Sequence, residues 1–351
     1  MENRIKTDFN FKPTGIGSVP YTNIKDTCLN ILKHLPEIPY WPQFVKLSHL
    51  ENMTIQFSEG LPLLELDEKH GSLAVSSDEM ESELFKFYDH FLSDDLSFFA
   101  ISREYAPGLY EQIELIRQSP EKYGSYIKGQ SVGPVTFSAG ITDMDGKSVL
   151  NNPALLEAYT KGLAIKSLWQ VRELAKSGKK TILFLDEPYL SGFGSAFTPI
   201  ERQVVINLIK EIIDYLRERS DTLIGIHCCG NTDWSMIIET KPDIINFDAF
   251  SFMDYFLLYP EDISRFLNDG GAIAWGIVPT ADFTEKETVE DLYSRLKYGL
   301  NRLKEYNLDP ELVARSSLLT PACGMGTMEQ SSSDKVLELL SMLSKKMRFT
   351  L

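Results

Sequence analysis

Cysteine is scarce in this chain: four occur in 351 residues, too few to staple a scaffold, and a core of this size needs no staple. A reducing compartment, the cytoplasm, is the expected home, where a cysteine serves as a buried hydrophobe, a metal ligand or a catalyst. Basic charge is also short. Against 50 Asp+Glu there are 35 Lys+Arg, and the formal net charge is −15. With no basic cluster, neither a nucleic acid nor an anionic membrane surface is an expected partner. No run reaches the roughly 18 apolar residues that cross a bilayer. Residues 1–12 are polar and lack the apolar stretch of a secretory signal. Low-complexity tracts, Gly/Ser linkers and internal repeats are missing too, so 1–351 reads as one domain rather than a string of modules.

What is present is an alternation. Eight short apolar runs lie at 14–18, 38–41, 126–131, 182–186, 223–229, 244–248, 272–278 and 317–320. They are too brief for helices, are often β-branched, and end in Gly, Pro or polar residues. Between them, 153–176, 200–217, 287–306 and 334–346 repeat apolar residues at helical spacing. Thr198-Pro199 is expected to cap and open the second of these helices. Eight strands alternating with helices predict a parallel sheet closed as a (β/α)8 TIM barrel, with an open doubly wound sheet as the other arrangement. One long connection, 42–122, interrupts the alternation. Within it 63–75 reads as a hairpin around Lys69-His70-Gly71, so a segment inserted after the second strand is expected at 60–80.

A barrel of this kind works at the C-terminal ends of its strands. The unusual polar residues fall there: Ser18, Gln43, Asp186-Glu187-Pro188, His227-Cys228-Cys229-Gly230, Asp248 and Cys323-Gly324. Side chains two apart on a strand share a face, so His227 and Cys229 can reach one ion while Cys228 points away. Cys323 would arrive from another strand. Two thiolates and one imidazole select zinc over magnesium or calcium, with a carboxylate or water completing a tetrahedron. Cys28 and Cys228 are read as packed hydrophobes. His34, His49, His70 and His90 are read as surface or core residues without partners. Asp186-Glu187 ends a buried strand. Such a pair binds an amine, works as acid and base, or serves only as a cap or salt bridge, and the sequence leaves these open. Gly15-Ile16-Gly17-Ser18 offers backbone N–H groups that can hold a carboxylate. Residues 190–197 are a lid or an ordinary βα loop.

Taken in order, Ile16-Gly17-Ser18, Gly133-Pro134-Val135-Thr136, Asp186-Glu187-Pro188, His227-Cys228-Cys229 and Cys323-Gly324 resemble the catalytic barrel of cobalamin-independent methionine synthases. That barrel shares a superfamily with uroporphyrinogen decarboxylase and the zinc-dependent corrinoid methyltransferases. His227-Cys228-Cys229-Gly230-Asn231 is especially similar to the last group. The resemblance runs over essentially the whole chain. It implies zinc on His227, Cys229 and Cys323, with Asp248 as a fourth ligand at the place of the family's acidic one. It implies that Ile16, Gly17 and Ser18 hold a homocysteine carboxylate and that Asp186 holds its amino group. The family also has a Glu near the second strand that contacts the amino acid; here Leu47 stands at the matching place, with Gln43 as the substitute.

The chain resembles the short, single-barrel form of the family, which is similar to enzymes that take methyl from a methylated corrinoid, free or on a partner protein. The implied activity is zinc-dependent methyl transfer from a methyl-corrinoid to the thiol of homocysteine, giving methionine. Residues 190–197 would then help form the corrinoid docking surface. Three readings compete. A coenzyme M methyltransferase would give Asp186 no amine to meet. A uroporphyrinogen-type decarboxylase would need basic residues near the first strand, which this sequence lacks. A non-catalytic zinc-storage barrel would show a closed four-ligand site.

Overall fold

A computed structural model describes residues 8–67, 71–76, 80–143, 145–195 and 198–350. The chain opens with a short strand, β1 (Lys12–Pro13), and continues to an antiparallel hairpin of β2 (Leu64–Asp67) and β3 (Ser72–Val75). Six further strands follow: β4 (Tyr126–Val132), β5 (Lys180–Asp186), β6 (Leu223–Cys228), β7 (Ile244–Phe247), β8 (Ala272–Val278) and β9 (Ser317–Pro321). The main sheet runs β1-β9-β8-β7-β6-β5-β4, and every pairing in it is parallel. Helices alternate with these strands, and the curled sheet is a TIM-barrel-like fold.

The gap between β1 and β4 is closed by residues that form no regular ladder. Gln43 N donates to Gly17 O at 3.0 Å, Val19 N to Gln43 O at 2.9 Å, and Trp41 N to Lys128 O at 3.0 Å. Isolated parallel bridges join Ser18 to Gln43 and Tyr40 to Lys128. The expected strands at 14–18 and 38–41 therefore exist as staves of the barrel but not as ladders. Proline explains the difference: Pro13, Pro20, Pro36, Pro39 and Pro42 donate no N–H, so pairing survives only between them.

Strand alternation stratifies the interior. Ile182, Phe184, Leu223, Ile244, Ala272, Ala274 and Leu318 form one apolar cluster with Phe9 and Ile38 inside the barrel. Higher on the same faces stand Asp186, His227, Asn246 and Thr320, all nearly inaccessible. The intervening residues, such as Leu183, Ile226, Phe247 and Trp275, face outward into the larger core beneath the helices. An apolar plug below and polar groups above place the chemistry at the C-terminal mouth.

Helix bounds differ modestly from the expectation. Pro153–Ala175 is capped by Asn152, whose side chain accepts from Leu155 N. The next helix begins at Arg202, with Glu201 at its N-cap, so Thr198-Pro199 lies upstream and does not open it. The last helix, Gln330–Thr350, is longer than the periodic segment 334–346. The hairpin stands where the 60–80 segment was expected, although 68–70 and 77–79 lie outside the described residues. Among the described residues no helix is long and apolar enough to cross a membrane.

Candidate functional site

β6 ends at Cys228, one residue short of the expected strand, and Cys229 nonetheless turns to the same side as His227. Cys323 enters from the loop after β9. The ligand atoms of His227, Cys229 and Cys323 lie within 4.8 Å of one another. His227 is buried, while Cys229 and Cys323 are half-buried.

The imidazole is oriented from behind. His227 Nδ1 lies 2.5 Å from Asn246 Oδ1, and Asn246 Nδ2 donates to Ala274 O and to Thr320 Oγ1, each at 2.8 Å. The Ala274 carbonyl can only accept, so Asn246 must turn its oxygen to the histidine. Nδ1 then carries the proton and Nε2 keeps the lone pair that a metal needs. Asn246 pairs in register with His227 across the β6–β7 ladder, a position that sequence reading passed over.

A hydrogen bond joins the two sulfurs and shifts them in opposite directions. A hydrogen bond from Cys323 pulls the Cys229 thiol down to about 4 against its burial, with His227 helping. The same bond, with burial, pushes Cys323 well up. Burial alone would lower His227, but the Cys229 bond and the nearby Asp186 charge outweigh it and raise the imidazole. A site with two sulfurs and an oriented imidazole has the donor chemistry of zinc.

Asp248 stands outside that group of three. Its Oδ1 accepts from Ser251 N at 2.8 Å and caps the helix Ala249–Phe256. The expected fourth ligand thus gives one oxygen to an N-cap, because a helix that starts directly after β7 leaves its first amides to be satisfied, while burial, with Cys229 helping, pushes its carboxyl up.

The two adjacent carboxylates of β5 separate into different roles. Glu187 accepts from Val135 N at 2.9 Å, Thr136 N at 2.8 Å and Thr136 Oγ1 at 2.6 Å. It clasps the start of the helix Pro134–Ala139, and a Cβ at Gly133 would sit 2.3 Å from its carboxylate. The Gly-Pro-Val-Thr element therefore serves Glu187. Asp186, in register with His227, has a fully buried Oδ1 with no hydrogen-bond partner. Burial raises its carboxyl to about 6, while His227 and Lys128 pull it down.

Lys128 and Gln130 are further polar residues that sequence reading missed; their signal is a Lys-x-Gln alternation within an otherwise apolar run. The fully buried Lys128 Nζ donates to Ile16 O at 2.6 Å and Gln130 Oε1 at 3.2 Å. Burial lowers its ammonium to about 7 against the pull of Asp186. Gln130 Nε2 donates in turn to Trp41 O at 3.0 Å. One interior amine thus ties down both irregular staves.

Ser18 is bound to the Cys323 loop: its carbonyl accepts from Met325 N at 2.9 Å and its Oγ from Gly326 N at 3.3 Å. Gly17 abuts Gln43 Oε1, which a Cβ there would meet at 2.2 Å. Leu47 is 45% exposed, whereas Glu51 is buried with Oε2 accepting from Phe44 N at 3.0 Å. Gly230 packs on Ser191, so the turn Pro188–Gly192 lies against the Cys229 segment; 196–197 lie outside the described residues. Cys28 and Cys228 are buried as expected. His90 does have partners, Asp95 at 2.9 Å and the ring of Phe98, while His70 lies outside the described residues.

No protein-family model matches the chain, and no curated protein sequence does. Solved structures do. A 3-keto-D-glucoside 4-epimerase from E. coli, in its apo form, aligns at 14% identity over 77% of this chain and 97% of its own, with a TM-score of 0.35. A B12-independent methionine synthase from Shewanella sp. W3-18-1, in complex with selenomethionine, aligns at 15% identity over 97% of this chain and 98% of its own, with a TM-score of 0.63. The second likeness shows a common fold over essentially the full length of both chains.

Proposed function

We propose that this chain is a zinc-dependent thiol methyltransferase that moves a methyl group from a methyl-corrinoid, free or protein-bound, to homocysteine, giving methionine. The observation that carries the reading is the meeting of His227, Cys229 and Cys323 within 4.8 Å, beside a buried Asp186 oxygen that no protein donor satisfies. Those three residues would hold the metal. Zinc held there supplies the acidity to deprotonate an incoming thiol at neutral pH. The neighbour of like fold is a methionine synthase holding selenomethionine, which supports a methionine-like ligand here. The run 227–231, similar to the corrinoid methyltransferases, supports the donor.

The remaining work falls to the protein's own groups. A buried acceptor without a donor is costly, and Asp186 Oδ1 is relieved when an ammonium arrives. Backbone amides along 16–18 suit a carboxylate. Lys128 and the Cys323 loop hold that segment still through Ile16 and Ser18. Thiol methylation is an in-line displacement, so fixing both ends of the acceptor is the main contribution a protein can make. A sulfonate thiol such as coenzyme M would meet the Asp186 carboxylate, with Lys128 already committed to Ile16, which favours homocysteine.

The test is an assay with methylcobalamin and either thiol, with and without a chelator. Methionine should form from homocysteine, cease when zinc is stripped and return when zinc is restored. Activity that survives complete demetallation would end the proposal. Methylation of coenzyme M in preference to homocysteine would replace the acceptor.

A further inference from the structure

A backbone carbonyl can accept a hydrogen bond but never donate one. Gln56 Nε2 donates to Tyr105 O at 2.6 Å, which turns Gln56 Oε1 the other way. That oxygen accepts from Gln43 Nε2 at 2.6 Å. Gln43 Oε1 is thereby left against Gly17, so close that a Cβ there would meet it at 2.2 Å, with the Gln130 amide beside it. Gln56 is fully buried and Gln43 is 5% exposed, so neither amide can trade these bonds freely for water. Two amides in series thus carry the polarity of one carbonyl to Gly17, and what Gln43 turns toward that segment is an acceptor.

We infer that Gln56 is a positioning residue that locks the Gln43 amide with its oxygen toward the cleft beside Gly17, so that the site selects a thiol bearing a primary ammonium. Asp186 Oδ1 is the second acceptor left for that cation. The inference rests on the homocysteine reading and adds the residue that specifies the amino group. Were Gln43 free to turn, its Nε2 would face the cleft for part of the time and favour an anion instead.

Titration calorimetry on the zinc-loaded full chain tests this. It compares L-homocysteine with 4-mercaptobutanoate, the same thiol acid without the amino group. Wild type should prefer homocysteine by about tenfold or more, the usual worth of a hydrogen bond to a charged group. Gln43→Leu should lose about tenfold in homocysteine affinity and little for the des-amino thiol. Gln56→Leu should lose several-fold of the preference, and the double variant should be no worse than Gln43→Leu, because Gln56 acts only through Gln43. If Gln56→Leu does not fold, Gln56→Asn, too short to bridge both partners, takes its place. Undiminished preference in the Gln56 variant, with wild type selective, overturns the lock and leaves the homocysteine reading standing. A wild type that binds neither thiol, or prefers the des-amino one, overturns both.

Discussion

Between β4 and β9, neighbouring strands exchange multi-residue ladders of backbone bonds over an apolar interior, shifted in register at Gly276–Val278, whereas the staves at 12–19 and 38–43 meet their neighbours at short or single bridges. Side chains hold those two staves instead: Lys128 on Ile16, Gln130 on Trp41, Glu51 on Phe44 and Gln56 on Gln43. Of the three clustered zinc-type donors, His227 stands in β6, and Cys229 and Cys323 follow directly on the ends of β6 and β9. That division is physically sensible. A metal site tolerates little positional error, so its donors are best anchored at the ends of stiff ladders. Recognition of an amino acid needs oriented polar groups, which an all-apolar strand face cannot supply. The irregular arc earns its polar network from the prolines that deny it a ladder.

The largest effect that would sharpen this contrast is at the regular arc. Cys229→Ser or Cys323→Ser should abolish zinc retention, measured as bound zinc per chain after dialysis, while urea unfolding stays cooperative. Full zinc in both variants would show that the ion sits elsewhere. Next comes the irregular arc. Lys128→Met removes the buried amine from Ile16 O and Gln130 and leaves both acceptors buried without their donor, so stability should fall by about 3 kcal/mol in urea denaturation. A loss below about 1 kcal/mol would mean that the two staves stand without their side-chain ties.

The smallest effect is a pH dependence. Burial pushes Glu51 up to about 7 from its usual 4.5, against the Phe44 N–H bond that favours its anion. The folded chain then keeps a proton that the unfolded chain releases, so stability falls as pH rises from 4.5 to about 7 and levels off above. Glu51→Gln should come close to wild type at about pH 5 and gain on it by about 2 kcal/mol on going to about pH 8. Identical stability at both pH values would show that Glu51 ionises without penalty.

Much of the site was legible because its chemistry is unusual at strand ends. His227, Cys229 and Cys323 stood out by residue type alone, and the structure brings their ligand atoms together. Asp248 was legible by position, but not that one of its oxygens goes to Ser251 N, since a helix N-terminus competes locally for any nearby carboxylate. Asn246, Lys128 and Gln130 escaped notice because a polar residue inside an apolar run announces burial without naming its partner. The eight staves were legible as well, but not the loss of ladders in two of them, which depends on how proline spacing falls against a neighbouring strand.

Hydrophobic period, strand-end chemistry and donor types were determined by the sequence on its own, because each is a property of a few consecutive residues. Only the tertiary structure decided that Glu187 clasps a helix while Asp186 stays unpartnered, that Asn246 sets the imidazole proton, and that Tyr105 O orients two amides. Those roles depend on which donor or acceptor arrives within 3 Å or so from a distant strand.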